Sequence, residues 1–252
     1  MTDLDAAVRA LARAPRLLVA LDFDGVLAPI VSVPSDARPL PDSAAALEEL
    51  ATLPDTTVAL LSGRGRADLA AVSGFGDPIR LIGSHGSEFD DGASLLDDEQ
   101  RARLEQLTAE LRGLVDGEPG VTLERKPAGV AVHVRNAPPD VGTRVLDAVR
   151  AGPATWDGVE ATPGKAVLDL SVAKMDKGAA LDLLRERVAA DAVLFAGDDV
   201  TDETAFSRLR PDDVGVKVGP GDTAARHRVD APPDVTTLLR QLVETRRHGR
   251  EA

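Results

Sequence analysis

The sequence contains no cysteine, no tyrosine and only one tryptophan. Without cysteine the chain has neither disulfides nor thiolate metal ligands. Aromatic residues make up 2% of the chain against a hydrophobic share of 43%, so the core has to be built from aliphatic side chains. Aliphatic cores of this kind are typical of α/β proteins, whose buried parallel strands are runs of Leu, Val, Ala and Ile.

Positive charge is also scarce, because 29 Lys and Arg face 42 Asp and Glu and leave a formal net charge of -13. This charge argues against nucleic acid and anionic membrane surfaces as partners. No apolar run approaches the roughly 20 residues of a membrane-spanning helix. The stretch from Met1 to Pro15 has charges among its alanines and does not resemble a signal peptide. We therefore expect a cytoplasmic protein that acts as a monomer.

Short aliphatic runs alternate with helical patterns in the first and last parts of the chain. The runs at 17–23, 57–61 and 79–83, and later at 192–196 and 214–218, each end in Gly or polar residues. Such alternation predicts one doubly wound parallel sheet, which is a Rossmann-like α/β core.

The middle of the chain has a different pattern. A charged helix at 97–115 is followed by polar–apolar alternation at 121–125 and 130–135, a helix at 141–150 and a second predicted hairpin over 159–171. Alternation of this kind predicts antiparallel strands with one wet face. We therefore predict a core domain at 1–98 and 174–252, interrupted by a smaller α+β domain at 99–173.

Reactive side chains follow several of the predicted core strands. Asp22 and Asp24 end the first strand, Ser62 and Arg64 follow the second, and a late strand ends at Gly197 before an acidic segment. Ligands of open α/β sheets bind beyond the carboxyl ends of the strands. These side chains are therefore expected to meet in one cleft.

Crowded carboxylates need a cation, and Mg²⁺ prefers oxygen ligands. We predict that Asp22, Asp198 and a backbone carbonyl near Asp24 hold Mg²⁺. Beside such an ion an Asp can act as a nucleophile on phosphorus. Lys177 and Ser62 can bind the phosphoryl oxygens, and Asp24 can serve as general acid and then as general base.

Four segments match, in order, the motifs of the haloacid dehalogenase superfamily of phosphatases: DFDGVL at 22–27, SGR at 62–64, KG at 177–178 and GDDVTDE at 197–203. Within it, LSGR, GSHGSE, LERKPAGVAVHVR, PGK and GDDVTDETAF resemble the trehalose-6-phosphate phosphatase family. The resemblance implies Mg²⁺-dependent hydrolysis of a sugar phosphate through an aspartyl phosphate.

The resemblance also implies residue roles. Asp22 would be the nucleophile, Asp24 the acid/base, and Ser62 and Lys177 phosphate ligands. Asp198 would complete a metal site that also includes Asp22 and Asp24. The metal site would be supported by Asp199 and Asp202, and the remaining substrate contacts would be Arg64, His85, Gly86, Glu124, Lys126, His133, Arg135, Lys165 and Asp169. The residues from Glu124 onward would belong to a mobile cap that closes over the disaccharide.

Two positions depart from the family pattern. Val26 stands where superfamily members often carry Thr, which removes a hydroxyl but spares both Asp residues. Asp169 stands where relatives often carry Glu, which is one methylene longer.

Other functions share the core motifs. A phosphatase acting on sucrose phosphate or mannosylphosphoglycerate, or a phosphosugar mutase, would differ mainly in the cap. A phospho-accepting signalling domain would use a similar Asp, Mg²⁺ and Lys arrangement, although the chain is long for one such module. A catalytically silent sugar-phosphate sensor is a further alternative.

Overall fold

The computed structural model of the chain describes residues 3–89, 96–173 and 176–248. These residues form eight α-helices and ten strands, which in chain order are α1 (Asp3–Leu11), β1 (Leu17–Leu21), α2 (Pro41–Thr52), β2 (Thr56–Leu61), α3 (Arg66–Ser73), β3 (Arg80–Ile82), α4 (Asp98–Val115), β4 (Thr122–Lys126), β5 (Gly129–His133), α5 (Pro139–Ala151), β6 (Glu160–Gly164), β7 (Val167–Ser171), α6 (Lys177–Arg187), β8 (Ala192–Gly197), α7 (Glu203–Phe206), β9 (Val214–Val218), β10 (His227–Val229) and α8 (Pro232–His248).

The chain divides into two compact units. The first combines Met1–Ala93 with Asp176–Ala252, and the second is Ser94–Met175. The first contains a six-stranded sheet and the second a separate four-stranded sheet. The predicted fold class, a parallel α/β core with a smaller inserted α+β region, is confirmed. The domain limits at 98/99 and 173/174 stay a prediction.

The six strands of the first unit are arranged in the order β10-β9-β8-β1-β2-β3, and every pairing is parallel. β1 lies between β8 and β2, and all five of its residues are buried. Since parallel strands all end at the same edge of the sheet, the segments after β1, β2 and β8 lie side by side.

Helices cover both faces of this sheet. Leu17, Val19 and Leu21 of β1 belong to one core cluster with residues of α1, α2 and α8. The alternate residue Leu18 is buried as well, and on strand β8 the ring of Phe195 lies 5.2 Å from that of Phe206 in α7. Side chains alternate across a strand, so burial of both sets is what a doubly wound sheet requires.

The second unit is an antiparallel sheet in the order β4-β5-β7-β6. Its core joins Leu107 of α4 and Val149 of α5 to Val132 and Leu168 on the sheet. The helices therefore cover one face of the sheet, as expected for strands with one polar face.

The helical pattern of the sequence over 201–209 predicts one helix after β8, and the structure differs from it. Residues Val200–Asp202 form a 3₁₀ turn, and α7 spans only Glu203–Phe206. The Asp202 carboxylate turns back to accept backbone N–H groups of the preceding loop. The short strand β10 was not predicted from the sequence, because its three residues include only one aliphatic side chain.

Candidate active site

Three of the predicted site residues follow neighbouring strands of the first unit. Asp22 comes directly after β1, Ser62 after β2 and Asp198 after β8. The Asp22 N–H donates to the Ala196 carbonyl at 2.9 Å, and the Ser62 N–H donates to the Ile82 carbonyl at 3.0 Å. The hydrogen-bond ladder of the sheet thus continues one residue past β1 and β2, and it holds the backbone of Asp22 and Ser62 in place.

A buried lysine connects two of the acidic residues. Lys177 Nζ lies 2.9 Å from Asp22 Oδ2 and donates a 2.8 Å hydrogen bond to Asp202 Oδ1. Lys177 is 1% exposed, Asp202 0% and Asp22 6%. Buried charges are stable only when they are paired and hydrogen-bonded. The arrangement satisfies that condition and fixes the Lys177 ammonium beside the Asp22 carboxylate.

The position of Lys177 depends on the start of α6. Asp176 is the N-cap, and its side chain accepts a 2.8 Å hydrogen bond from the Ala179 N–H. Asp is a preferred N-cap residue, and the helix begins at the next residue, Lys177. Gly178 follows, and a Cβ there would lie 2.3 Å from the Thr204 carbonyl oxygen, so glycine permits the close packing of α6 against the segment after β8.

Burial and mutual repulsion alter the ionisation of this cluster. Burial raises the pKa of Asp22 to about 7 against the opposing effect of Lys177, and the charge of Asp202 adds to the rise. Burial, followed by the charge of Asp202, raises the pKa of Asp198 to about 6. Burial lowers the pKa of Lys177, but the charges of Asp22 and Asp202 more than offset this, so its pKa is raised.

The acidic cluster is able to hold a metal ion. Carboxylate oxygens of Asp22, Asp198 and Asp202 all lie within 4.8 Å of one another. Burial and mutual repulsion raise the pKa values of Asp22 and Asp198, and a hard cation that takes carboxylate oxygens would offset both effects. The residues present therefore fit an oxygen-liganded divalent cation.

Asp202 differs from the other two carboxylates because both of its oxygens are engaged. Oδ1 accepts from Lys177, and Oδ2 accepts from the backbone N–H groups of Asp198 and Asp199 at 3.0 Å each. A Cβ on Gly197 would lie 2.3 Å from the Asp202 carboxyl carbon, so glycine allows the loop to close this tightly. Asp202 therefore shapes the loop that carries Asp198.

Asp24 is held by an arginine. Arg64 Nε donates to Asp24 Oδ2 at 2.6 Å, and Arg64 Nη2 donates to Asp24 Oδ1 at 2.8 Å. Arg64 also contacts Asp68. A guanidinium fork on a carboxylate fixes both the distance and the plane of the acid.

The turn after Asp24 requires glycine. Gly25 has a φ of +77°, and a Cβ at this position would lie 2.0 Å from Asp198 Oδ2. The Gly25 N–H donates to the Ala28 carbonyl at 2.8 Å, which closes the turn. Any side chain at Gly25 would collide with Asp198, so this glycine lets the two acidic segments approach each other.

Ser62 leads into a second loop that carries His85. Ser62 Oγ accepts the Arg64 N–H at 3.2 Å, and the Ser62 carbonyl accepts the His85 N–H at 2.9 Å. The His85 ring lies over Gly63, where a Cβ would be 2.6 Å from Cε1. Burial and the charge of Lys177 lower the pKa of His85. Gly86, with a φ of +107°, packs against the start of α6.

These residues surround an open cleft of ≈ 580 Å³. Most of its lining residues are polar or charged, and Ile30, Val31 and Pro34 are apolar. The predicted residues that line it are Asp22, Asp24, Ser62, Arg64, His85, Lys177, Asp198 and Asp199. All the predicted residues of the first unit therefore line the cleft except Asp202 and Gly86, which are buried.

The remaining predicted contacts lie in the second unit. Glu124 on β4 and Asp169 on β7 are both register partners of Ala131 on β5, which lies between these strands. Their side chains therefore share one face of the sheet. Lys126 Nζ donates to Asp169 Oδ1 at 2.5 Å, and the Nε2 of His133 is 2.8 Å from a Glu124 oxygen. The other two candidates are exposed beside this sheet, namely Arg135 and Lys165.

Comparison with known proteins places this geometry in a family. The chain matches the trehalose-phosphatase family model over residues 20–235. It is 37% identical to a trehalose-phosphate phosphatase of Mycobacterium marinum, over 96% of this chain and 66% of that protein. A solved structure of Aspergillus fumigatus trehalose-6-phosphate phosphatase has a TM-score of 0.68 and 26% identity, over 97% of this chain and 98% of that one.

The chain belongs to the trehalose-phosphatase family. All of the predicted site residues lie within the segment that the family model covers. The chain spans about two thirds of the length of the M. marinum relative, and 59% of a Mycobacterium leprae relative that is 37% identical over 91% of this chain. Among the residues that the structure describes, no helix is long and apolar enough to cross a membrane.

Sequence reasoning missed one cation of this trehalose-phosphatase-family site. Lys217 is 4% exposed at the end of β9, and its Nζ donates to the Asp198 carbonyl. The segment VGVKV reads as an aliphatic strand interrupted by a lysine, and a lysine on a fully buried strand has to find an acceptor. That pattern was the available signal. Asp68, which contacts Arg64, offered no comparable pattern.

Proposed function

We propose that this chain is a Mg²⁺-dependent phosphatase that hydrolyses trehalose 6-phosphate to trehalose and phosphate, with Asp22 as the nucleophile. One observation carries the proposal: the Asp22 carboxylate is buried at the cleft floor, beside Lys177 and within 4.8 Å of oxygens of Asp198 and Asp202. The family membership given above supports the sugar phosphate as substrate.

The side chains of Asp22 and Asp198 and a backbone carbonyl near Asp24 would hold Mg²⁺. Asp199 and Asp202 would support that site, since the oxygens of Asp202 already accept hydrogen bonds from protein groups. When bound, Mg²⁺ neutralises negative charge and so permits an anionic nucleophile to approach an anionic ester. Burial raises the pKa of Asp22 to about 7, and a bound cation would lower it and so favour the ionised nucleophile.

In the first step an oxygen of Asp22 attacks phosphorus and forms an aspartyl phosphate. The bond between phosphorus and the sugar oxygen breaks, and Asp24, which enters this step protonated, gives its proton to that oxygen so that the sugar leaves as an alcohol. Lys177 has N–H capacity beyond its bonds to Asp22 and Asp202, and Ser62 Oγ can donate, so both can bind phosphoryl oxygens.

In the second step water attacks the phosphorus of the aspartyl phosphate. Asp24, now ionised, takes a proton from the water, the bond from phosphorus to Asp22 breaks, and inorganic phosphate leaves. Both carboxylates return to their starting states. Asp24 lines the cleft with a side chain that is 31% exposed, so it can reach either the leaving alcohol or the water.

Recognition of the sugar is assigned to the second unit. The face that carries Glu124, Lys126, His133 and Asp169 offers carboxylate, ammonium and imidazole groups, which are the partners that sugar hydroxyls accept. Arg135 and Lys165 add two exposed cations. His85 and Gly86 are proposed to contact the substrate from the first unit.

The test is phosphate release from trehalose 6-phosphate, glucose 6-phosphate and sucrose 6-phosphate, with Mg²⁺ and with a chelator. We expect release from the trehalose ester alone, and only with Mg²⁺. Activity restricted to another ester would discard the assigned sugar and keep the phosphatase. No release from any ester, or a phosphorylated chain that persists for hours, would favour the sensor or the signalling domain.

A further inference from the structure

Arg64 directs most of its hydrogen-bonding capacity at the protein. Two of its N–H groups form the fork on Asp24 at 2.6 and 2.8 Å. A third bonds Asp68 at 2.8 Å, and a fourth bonds the Pro34 carbonyl at 2.8 Å. Within the part of the chain that the structure describes, this leaves one N–H on Nη1 without an acceptor.

The surroundings of Arg64 also hold it in place. Its side chain is 11% exposed, and its guanidinium carbon lies 5.7 Å from the centre of the Phe23 ring. Phe23 lies between Asp22 and Asp24 in sequence, so Arg64 contacts the catalytic loop at two successive residues. A cation that is enclosed and bonded in this way has little freedom to turn towards a bound anion.

We propose that Arg64 is a positioning residue that orients the Asp24 carboxylate for proton transfer, and not a ligand of the substrate phosphate. The proposal rests on the phosphatase function proposed above. Arg64 acts through Asp24 alone, and the bond-making steps remain those of Asp22 and Asp24.

Orientation matters because an aspartate is free to rotate unless something holds it. The fork occupies one acceptor direction on each Asp24 oxygen and leaves the others available. A catalytic group misplaced by ~1 Å can lose ~100-fold in rate. Asp68 accepts from Nη1, and the Pro34 carbonyl accepts from Nη2, so the guanidinium that sets the Asp24 plane is itself held by two further contacts.

The discriminating variant is Arg64→Lys, which keeps the positive charge but loses the fork. Single-turnover experiments with enzyme in excess would measure release of trehalose from trehalose 6-phosphate and of p-nitrophenol from p-nitrophenyl phosphate. The alcohol needs a proton as it leaves and the phenolate does not, so a misplaced Asp24 slows only the first. We expect about 100-fold slower trehalose release and less than about threefold slower phenol release.

A second readout is independent of turnover. Calorimetric titration with inorganic phosphate in the presence of Mg²⁺ should give a dissociation constant within about twofold of wild type for Arg64→Lys. If Arg64 were a phosphate ligand, the loss of its bidentate contact would weaken phosphate binding by about tenfold or more.

Two further variants keep the proposal testable. Arg66→Lys is the matched control, because Arg66 is exposed two positions further on and does not line the cleft. Asp68→Ala removes one acceptor of Arg64 and should show the Arg64→Lys pattern at about fivefold, even if Arg64→Lys fails to fold.

Equal losses on both substrates, no loss on either, or weakened phosphate binding would overturn the positioning role. A wild-type protein that releases no phosphate from any ester would instead overturn the proposed function, and the phosphate titration would still report whether Arg64 touches the anion.

Discussion

The charged residues of the proposed site differ in burial between the two units. In the first, Asp22, Lys177 and Asp202 are almost fully buried, and each is bonded to another member of the group. In the second, Lys126 and Asp169 form a pair whose side chains are 43% and 37% exposed. Buried charges are held rigidly because an unpaired one is costly, whereas exposed pairs exchange readily with water.

This contrast matches the chemistry proposed for each unit. Phosphoryl transfer depends on fixed charges, which water would otherwise screen. Sugar recognition depends on polar groups that can give up water or a neighbour for a hydroxyl. We therefore expect substitutions in the buried group to affect rate and stability strongly, and substitutions on the open sheet face to affect substrate affinity mildly.

Asp22→Asn should give the largest effect. The amide has nearly the same shape as the carboxylate, but it is a poor nucleophile, so the rate of phosphate release should fall by at least about 10⁴-fold. The chain should keep its circular dichroism spectrum. Asp36→Asn, an exposed residue in the turn at Pro34–Asp36, is the control and should retain full activity. Substantial turnover by Asp22→Asn would show that another residue is the nucleophile.

The buried group also shows what the sequence could and could not predict. Aliphatic runs such as LLVAL predict β1, and the strand ends then place Asp22 and Asp198 at one edge of the sheet. The pairing of Arg64 with Asp24 joins residues 40 positions apart, and no local pattern specifies it. Asp202 accepts hydrogen bonds from Lys177 and from two backbone N–H groups. These bonds also have no local signal, because they depend on a turn that the Asp202 side chain itself stabilises.

The second unit was predicted less completely for a related reason. Alternation along β4 and β5 predicts a hairpin with one polar face, because polar and apolar residues separate by the pleat alone. It does not predict that Lys126 pairs with Asp169, since that contact depends on β7 lying beside β5. Long-range register decides such contacts, and a single sequence does not contain it.

Asp202→Asn tests the contrast through stability. Asp202 accepts from Lys177 and from the Asp198 and Asp199 N–H groups, so the amide NH₂ of asparagine would face one donor or the other. We expect a loss of about 3 kcal/mol in the free energy of unfolding, measured by urea denaturation. Asp169→Asn on the open face should change it by less than about 0.5 kcal/mol. Equal losses of unfolding free energy in the two variants would contradict the expected difference between buried and exposed site residues.

Metal binding should stabilise the protein more as pH rises. Without a cation, the pKa values of Asp22 and Asp198 are raised to about 7 and about 6 in the folded state. Groups with a raised folded pKa favour the folded state at low pH, and this contribution is lost as pH rises through about 6 and 7. Mg²⁺ needs the ionised carboxylates, so it compensates in that same window.

Calorimetry can measure this difference. With Mg²⁺ at about 100 times its dissociation constant, we expect Tm to rise by roughly 5–10 °C at pH 8 and much less at pH 5. NaCl at equal ionic strength is the control, and Asp22→Asn should reduce the rise. An equal rise at both pH values would mean that Mg²⁺ binds elsewhere.

The smallest effect is expected on the open face of the second unit. Glu124 is exposed and bonded only to His133 among the contacts described above, so Glu124→Gln should leave the free energy of unfolding within about 0.5 kcal/mol of wild type. If Glu124 accepts a sugar hydroxyl, the KM for trehalose 6-phosphate should rise about fivefold, because a hydrogen bond to a charged group weakens. The kcat/KM for p-nitrophenyl phosphate should not change, because that ester has no sugar.

The matched control for Glu124→Gln is Glu105→Gln, the same change at an exposed position of α4. Glu105→Gln should leave kcat/KM unchanged for both esters, since Glu105 lies on the helix layer that covers the opposite face of the sheet. If Glu124→Gln lowered kcat/KM equally for both esters, Glu124 would influence the phosphate chemistry itself. Glu124 would then not belong to a face that affects substrate affinity alone. A fivefold effect confined to the sugar ester would instead assign the open face to substrate affinity.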